Sequence, residues 1–332
     1  MLHKPDDIVL ELLKLTGSES PDQNSYSHKF AKALQLPLRQ GIFYGDILQG
    51  IYQQVEADGN STVEYPLDCI APGEEDEFVA YSNPGAGRIP ERSAEGDYIM
   101  IPTYGVANSI DWLLKLARQS KWDIVSRYLE VFRAGFVKKM NDDGFHTLLA
   151  AGVDRNILIY DSDASQGQFT KRLVSLLKSE MRRNGGGNSA SLKRSMLTDI
   201  YLSPEALEDI RNWGLDQVDE ITRREIYVAS DEASVITRVF GVNLHDLTEL
   251  GVGHEYQNYY TSQLNASLQG SDVEFVVGLD LGSNDTFIQP VSLELETHYD
   301  DALIRQQRYG LFGWCEVGNA VLDNRKIMLG SF

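Results

Sequence analysis

Residues 121–151 read KWDIVSRYLEVFRAGFVKKMNDDGFHTLLAA, and this stretch decides the fold because it predicts one long, partly buried helix. Ser120 is a suitable N-cap, and Asp123 stands three residues later, where it can close a capping box. Apolar side chains recur at steps of three and four. They predict a buried stripe of Trp122, Val125, Leu129, Phe132, Phe136 and Met140. At 1.5 Å per residue, such a helix would be roughly 45 Å long.

Two glycines and a polar run weaken this predicted helix. Gly135 and Gly144 each cost about 1 kcal/mol of helix stability relative to alanine. The run Asn141–Gly144 is typical of a point where a helix bends or breaks. We therefore expect a bend at this run.

The composition indicates a folded protein with two or three packed lobes, since 42% of its 332 residues are apolar. Cys69 and Cys315 lie far apart in sequence and lack metal-ligand spacing, which favours reduced thiols in a cytosolic setting. The first residues lack the pattern of a signal peptide, and no apolar run approaches the roughly 20 residues that span a bilayer. We expect neither a membrane partner nor a cofactor.

The net charge of −19 is unevenly distributed. Residues 56–97 carry eleven acids against two arginines, residues 115–194 are basic, and residues 199–300 carry twenty acids against four arginines. A protein that binds DNA tightly normally has a basic surface to neutralise phosphates, so this balance argues against sequence-specific DNA binding. Identical acidic subunits can instead meet through the basic segment of one copy and an acidic flank of the next. Solvated charged faces are the alternative.

The first 55 residues contain only short helical signals. One covers Ile8–Leu15, a second covers Phe30–Leu36 and ends before Pro37, and a possible turn covers Ile47–Val55. These segments are too sparse for a domain of their own, which predicts an arm that packs on another molecule. The alternative is a cap on the chain's own core.

Two apolar runs, EFVAY at 77–81 and DYIMI at 97–101, predict the strands of a long hairpin. An isolated two-stranded ribbon is marginally stable in water, so we expect this hairpin to lean on another molecule or another part of the fold. The candidate contact residues on it are Glu74, Glu75, Phe78, Tyr81, Arg88 and Arg92.

After the long helix, the pattern predicts further helices and then a closing sheet. A strand at Asn156–Tyr160 precedes an amphipathic helix at Gln168–Arg183, whose last turn adds Arg182 and Arg183 to the candidate contact residues. Ser203 and Pro204 open another helix, which Gly214 ends.

Three strands are predicted in the last part of the chain. They cover residues 291–297, 309–317 and 326–329, with a turn at Asp323–Arg325 before the last one. Strands that follow helices without regular βαβ alternation indicate an α+β fold.

Catalytic motifs are weak. Gly278–Asn284 resembles the first phosphate loop of actin-like and sugar-kinase ATPases, where an aspartate holds a metal-bound nucleotide, and Asp280 and Gly282 would take that role here. In those families the loop begins a domain, whereas only about fifty residues follow it here. His245 and His254 each stand beside a carboxylate, but polar loop or interface residues are the ordinary interpretation. We do not expect an enzyme.

Three segments carry a resemblance to a known family. They are FRAGFVKKMNDDGFHTLL at 132–149, VFGVNLHDLTELGVG at 239–253, and RYGLFGW at 308–314 with LDNRK at 322–326. Together with the order of elements, they resemble the major capsid proteins of tailed bacteriophages, which have the Hong Kong 97-like fold. The resemblance covers nearly the whole chain beyond the first sixty residues.

The resemblance implies a division of the chain into five parts. These are an N-terminal arm (1–61), an extended loop (62–108), a spine helix with part of a peripheral domain (109–152), an axial domain (153–290) and a peripheral sheet (291–332). It implies a shell protein that forms hexamers and pentamers of an icosahedral capsid around double-stranded DNA. The protein would be assembled in the cytoplasm of a host bacterium and would remain in the virion.

The implied partners are copies of the chain, a scaffolding protein, a portal and a decoration or cement protein. There is no room at the N-terminus for a fused scaffolding segment, so a separate scaffold or a processed chain is implied. Residues 62–108 contain no lysine, so we expect no covalent crosslink from this loop. An encapsulin-like compartment of the same fold, an ATPase, and an adaptor or tail component are the alternatives.

Overall fold

The computed structural model describes residues 7–16, 23–43, 47–57, 63–66, 98–119, 121–164, 166–184, 195–213, 238–282 and 286–332. Its helices are α1 (Asp7–Thr16), α2 (Gln23–Phe43), α3 (Leu114–Arg118), α4 (Trp122–Asp154), α5 (Lys171–Asn184), α6 (Pro204–Asn212) and α7 (Glu255–Asn258). Its strands are β1 (Gln53–Glu56), β2 (Val63–Pro66), β3 (Tyr98–Ile101), β4 (Tyr104–Leu113), β5 (Leu158–Tyr160), β6 (Asp199–Leu202), β7 (Arg238–Val239), β8 (Val242–Asp246), β9 (Phe275–Leu279), β10 (Phe287–Asp300), β11 (Arg308–Val317), β12 (Ala320–Val321) and β13 (Ile327–Ser331). Short 3-10 segments lie at Ile47–Gly50, Asp301–Gln306 and Asn324–Lys326, and a π-helical turn lies at Tyr259–Gln263.

The chain divides into two compact units, each built from separate stretches of sequence. The first unit takes its described residues from 1–65, 99–144 and 287–320, and the second takes them from 66–98, 145–286 and 321–332. In the part of the chain that the structure describes, no helix is both long enough and apolar enough to cross a membrane.

A sheet in the strand order β1-β10-β11-β4 forms the framework of the first unit. β10 and β11 are antiparallel, as are β11 and β4, whereas β1 runs parallel to β10. One face of this sheet packs on α4 and α2. The cluster between them includes Phe30, Leu34, Trp112, Leu129, Phe132, Phe136, Met140, Leu295, Tyr309 and Leu311.

The predicted long helix is confirmed as α4, and five of its six predicted stripe residues are buried while Trp122 is half-buried. The helix continues without a break through Asn141–Gly144. Both glycines are sites of close approach. A Cβ at Gly135 would lie 2.6 Å from the Asn108 amide nitrogen, which donates to the Phe132 carbonyl, and a Cβ at Gly144 would overlap Leu48.

The described part of the N-terminal segment packs on the chain's own core. Leu34 and Leu38 of α2 are buried in the first-unit cluster, the Gln35 side chain donates to the Leu295 carbonyl, and Thr297 donates to the Ala31 carbonyl. These helices form the cap that was the alternative prediction, rather than an arm on another molecule.

The prediction that the second helix ends before Pro37 is wrong, because α2 continues to Phe43. Buried anchors on both sides of Pro37 outweigh the roughly 3 kcal/mol that a proline costs inside a helix.

A sheet in the order β5-β13-β9-β6-β8-β7 forms the framework of the second unit. β5, β13, β6 and β8 all point the same way, because β9 is antiparallel to both β13 and β6. α5 and α6 pack on this sheet through a cluster that includes Phe169, Leu173, Leu177, Met181, Ile200, Leu207, Trp213 and Met328. The predicted helices are thus confirmed, with Ser203 capping the Ala206 N–H of α6.

The sequence analysis placed the last strand in one sheet with β11, and this prediction is wrong. β13 pairs instead with β9 and β5 in the second unit. All five residues of β13 are buried, so the strand needs a neighbour on each side and cover on both faces. A central position in the second sheet supplies both.

The described part of the predicted hairpin is β3, which pairs with β2 in a two-stranded sheet. The other predicted strand, at 77–81, lies outside the described residues. β4 begins at Tyr104, within the range that the sequence assigns to the extended loop.

Gly144→Ala should destabilise the protein, although alanine is the better helix former by about 1 kcal/mol. The added methyl group overlaps Leu48, and overpacking of this kind costs about 1–3 kcal/mol. Chemical denaturation of Gly144→Ala, Leu48→Ala and the double variant measures the coupling between the two positions. We expect the double variant to be more stable than the sum of the single changes predicts, whereas simple additivity would contradict the contact.

Candidate assembly surfaces

Most of the predicted contact residues lie outside the described part of the chain. These are Glu74, Glu75, Phe78, Tyr81, Arg88 and Arg92. Arg182 and Arg183 are described, and both are exposed in the last turn of α5, where Arg183 pairs with Glu180 at 3.4 Å.

Asp280 does not form the nucleotide site that its local sequence suggested. Its carboxylate lies 2.8 Å from the Lys326 ammonium, and the exposed fractions of these side chains are 5% and 7%. The same carboxylate accepts the backbone N–H groups of Met196 and Gly282. These contacts tie the end of β9 to the segments before β6 and β13, so Asp280 is engaged in holding strands together.

His245, one of the two histidines noted beside a carboxylate in the sequence, pairs with a carboxylate from another strand. His245 lies 2.8 Å from the Asp199 carboxylate and stacks on Tyr201 with ring centroids 4.7 Å apart. Burial alone would raise the pKa of Asp199, but hydrogen bonds from His245, Thr198 and Asn243 lower it overall. Among the described residues, no group of three or more histidines, cysteines or acids could hold a metal ion.

The strand directions in the second sheet sort charged residues onto two opposite edges. Strands β6 and β8 end at one edge, β9 begins there, and the segments that follow them are rich in acids. We call this the acidic edge, defined by Glu205, Asp209, Asp246, Glu249, Glu255 and Glu274. Strands β5 and β13 begin at the opposite edge. We call that one the basic edge, defined by Arg155, Arg182, Arg183, Arg325 and Lys326, of which Arg325 is paired with Asp323 and Lys326 with Asp280.

The direction of α5 places Arg182 and Arg183 at the basic edge. Phe169, just before α5, contacts Phe332 beyond the end of β13 with ring centroids 5.5 Å apart. Leu177, in the middle of α5, lies beside Gly330, and α5 also contacts the 3-10 segment that precedes β13. The helix therefore runs antiparallel to β13, and its C-terminal end reaches the edge where β13 begins.

Like charges lie close together at the acidic edge, whereas the basic edge also holds the acids Asp280 and Asp323. Burial raises the pKa of Glu274, and the carboxylates of Glu205 and Asp209 raise it further, against the opposing effects of the Ser203 hydroxyl and His254. At the other edge, burial lowers the pKa of Arg155, Asp323 opposes this change, and Arg325 adds a smaller lowering effect.

Exposed apolar side chains mark other parts of the molecule. In β3, Tyr98 and Met100 are 64% and 60% exposed. On the face of the first sheet that points away from α4, His298, Phe312 and Trp314 form a stacked aromatic patch, with 4.7 Å between the rings of His298 and Trp314. That the hairpin packs on another molecule or on another part of the fold stays a prediction, and these exposed side chains lie at its base.

Comparison with known proteins gives a likeness in fold and none in sequence. The sequence matches no protein-family model, and no curated protein is similar to it. Solved structures do match. A chain from the capsid of Myoviridae phage XM1 has a TM-score of 0.53 at 13% identity, over 86% of this chain and 90% of that one. A chain from the cyanophage Pam1 capsid has a TM-score of 0.55 at 10% identity, over 85% and 88%.

A chain from Microbacterium phage Oxtober96 has a TM-score of 0.57 at 9% identity, over 86% of this chain and 90% of that one. The chain therefore has the fold of tailed-phage capsid proteins, and the predicted Hong Kong 97-like α+β fold is confirmed.

Lys326→Met should lower the free energy of unfolding by about 3–5 kcal/mol, because it leaves the buried Asp280 carboxylate without its counter-ion. Urea denaturation followed by circular dichroism measures the loss. Lys139→Met is the matched control, since Lys139 pairs with Asp143 at 2.7 Å but is 58% exposed, and we expect a change of about 0–1 kcal/mol. Equal losses for the two variants would contradict the structural role of the buried pair.

Proposed function

We propose that this chain is the major capsid protein of a tailed, double-stranded DNA bacteriophage. Identical copies form hexamers and pentamers, which close into an icosahedral shell around the genome. The observation that carries the proposal is the match in fold to chains of the phage XM1 and Pam1 capsids, which covers 86% and 85% of this chain.

The proposed role is structural rather than catalytic. The acid that a nucleotide site would need, Asp280, is buried against Lys326. Turnover of nucleotide by the purified chain, lost on Asp280→Asn, would favour the ATPase alternative and contradict the proposal.

We propose that the extended loop (62–108), the spine helix with part of a peripheral domain (109–152) and the axial domain (153–290) hold as the resemblance implies, while the N-terminal helices pack on the chain's own core and β13 belongs to the second sheet. Residues 62–108 would reach a neighbouring copy, and exposed Tyr98 and Met100 at the base of this segment support such a contact. The candidate residues Glu74, Glu75, Phe78, Tyr81, Arg88 and Arg92 would take part in it. A scaffolding protein, a portal and a decoration protein are further proposed partners, and the shell would be assembled in the cytoplasm of the host.

The packaged DNA would be enclosed without sequence-specific binding. The chain has a net charge of −19, so a shell wall made of it would on balance repel the genome rather than trap it.

Negative-stain electron microscopy of the purified, expressed chain tests the proposal directly. We expect closed shells, or hexameric and pentameric rings that close into shells when a scaffolding protein is added. A monomer that does not assemble at any concentration would contradict the proposal. Open rings that never close under either condition would favour an adaptor or tail component.

Particles purified from infected or expressing cells separate the capsid from an encapsulin-like compartment. We expect packaged double-stranded DNA in virions, measured as nuclease-resistant nucleic acid. Shells that hold a protein cargo and no nucleic acid would favour the compartment.

Denaturing electrophoresis of mature particles tests the absence of a covalent crosslink from the loop. Residues 62–108 contain no lysine, so we expect one band at the mass of the chain, 37.2 kDa. A ladder of covalent oligomers would contradict this expectation.

A further inference from the structure

The opposite charges on the two edges of the second unit fit each other. Glu205 and Asp246 are exposed at the acidic edge, and Arg182 and Arg183 are exposed at the basic edge. The edges belong to one sheet and lie at opposite ends of its strands, so a single copy cannot bring its own edges together. A second copy can, if its basic edge meets the acidic edge of the first.

Apolar side chains accompany both sets of charges. Met196 precedes β6 at the basic edge and is 52% exposed, and its N–H donates to Asp280. Val252 lies in the acidic edge segment and is 60% exposed. An apolar contact surrounded by charges of opposite sign is the usual make-up of a specific interface, in which charge sets orientation and apolar area supplies affinity.

We propose that the basic edge of one copy docks on the acidic edge of the next, and that this contact makes the rings of the proposed shell salt-sensitive. The contact joins two different surfaces of the same chain, so each copy offers one edge to each neighbour. Repetition of a contact of this kind produces a ring when the rotation closes. The inference rests on the proposed function, because it assigns residues to contacts within that shell.

The crowding of like charges explains why a partner is favourable. At the acidic edge, Glu205 and Asp209 already work against the ionisation of Glu274, while at the basic edge Arg182 and Arg183 are adjacent and exposed. A neighbouring copy that brings Arg182 and Arg183 to the acidic edge relieves this repulsion. Salt ions that screen these charges compete with that gain.

Charge reversal at each edge tests the contact with two purified variants. The first variant, Arg182→Glu with Arg183→Glu, makes both edges acidic, and the second, Glu205→Lys with Asp246→Lys, makes both edges basic. Mass photometry between ~50 mM and ~1 M NaCl measures the rings formed by each protein. We expect each variant alone to need at least about tenfold more protein than the wild type to form rings at low salt.

Mixing the two variants gives the sharper outcome. A copy of the first variant has two acidic edges and a copy of the second has two basic edges, so the two can only alternate around a ring. The equimolar mixture should therefore form rings with an even number of chains. Hexamers should therefore return and pentamers should not, whereas a chain that carries all four substitutions should form both. Circular dichroism and thermal melting confirm that each variant is folded.

Lys115→Glu with Lys121→Glu is the control, because it makes the same change in net charge on exposed residues of the first unit. It should assemble like the wild type. Assembly of the first variant at wild-type concentrations would overturn the inference and leave the proposed function intact, as would a folded mixture that forms no rings. Binding of the basic edge to DNA in place of ring formation would also overturn it. A wild-type chain that never assembles would contradict the proposed function itself.

Discussion

The fold of the first unit depends on the contact between the apolar stripe of α4 and one face of the sheet. Phe132, Phe136 and Met140 are almost fully buried there, and burial of each such side chain contributes about 1.5–3 kcal/mol. The contact is close enough that a Cβ at Gly313 of β11 would come within 3.3 Å of the Phe132 ring. α2 also packs into this cluster, and β1 joins the same sheet along β10. The helix therefore organises residues that are more than 250 positions apart in sequence.

Tertiary packing in the first unit also explains features that local sequence preferences would forbid. A glycine in the middle of a helix and a proline inside α2 are both unfavourable on intrinsic propensity. Gly144 is nevertheless required, since Leu48 occupies the space of its missing side chain and Tyr52 donates a hydrogen bond to its carbonyl. Pro37 is tolerated because α2 is held on both sides of it by buried leucines. Tertiary packing, rather than helix propensity, fixes these two elements.

The sequence predicts where helices and strands lie far better than it predicts which strands pair with one another. Apolar periodicity locates α4, α5 and the later part of β10, because each has one buried face that repeats at the helix or strand spacing, and start and stop signals locate α6. It does not predict that β13 lies in a different sheet from β11, because a strand buried on both faces has no alternation to show its partners.

The sequence analysis missed the two charged edges for a related reason. Their residues are scattered between 155 and 326, and only the strand directions bring them together. The basic middle and acidic flanks of the chain were a signal of this arrangement, but they could not place it at the ends of a sheet.

In the proposed assembly, net charge and charge pattern would act on different steps of association between copies. A charge of −19 repels other copies while they are far apart, and this repulsion fades beyond about 10 Å at ~0.1 M salt. The pattern acts only at short range, where Arg182 and Arg183 at one end of the strands differ in sign from Glu205 and Asp246 at the other. Two copies that approach with edges of the same sign repel each other more strongly than the net charge implies. Two copies that approach with edges of opposite sign repel each other less strongly. In the proposed assembly, an acidic chain of this kind would discriminate against wrong orientations before apolar contacts form. Charge would then select the orientation of neighbouring copies, and the apolar surface that becomes buried would supply their affinity.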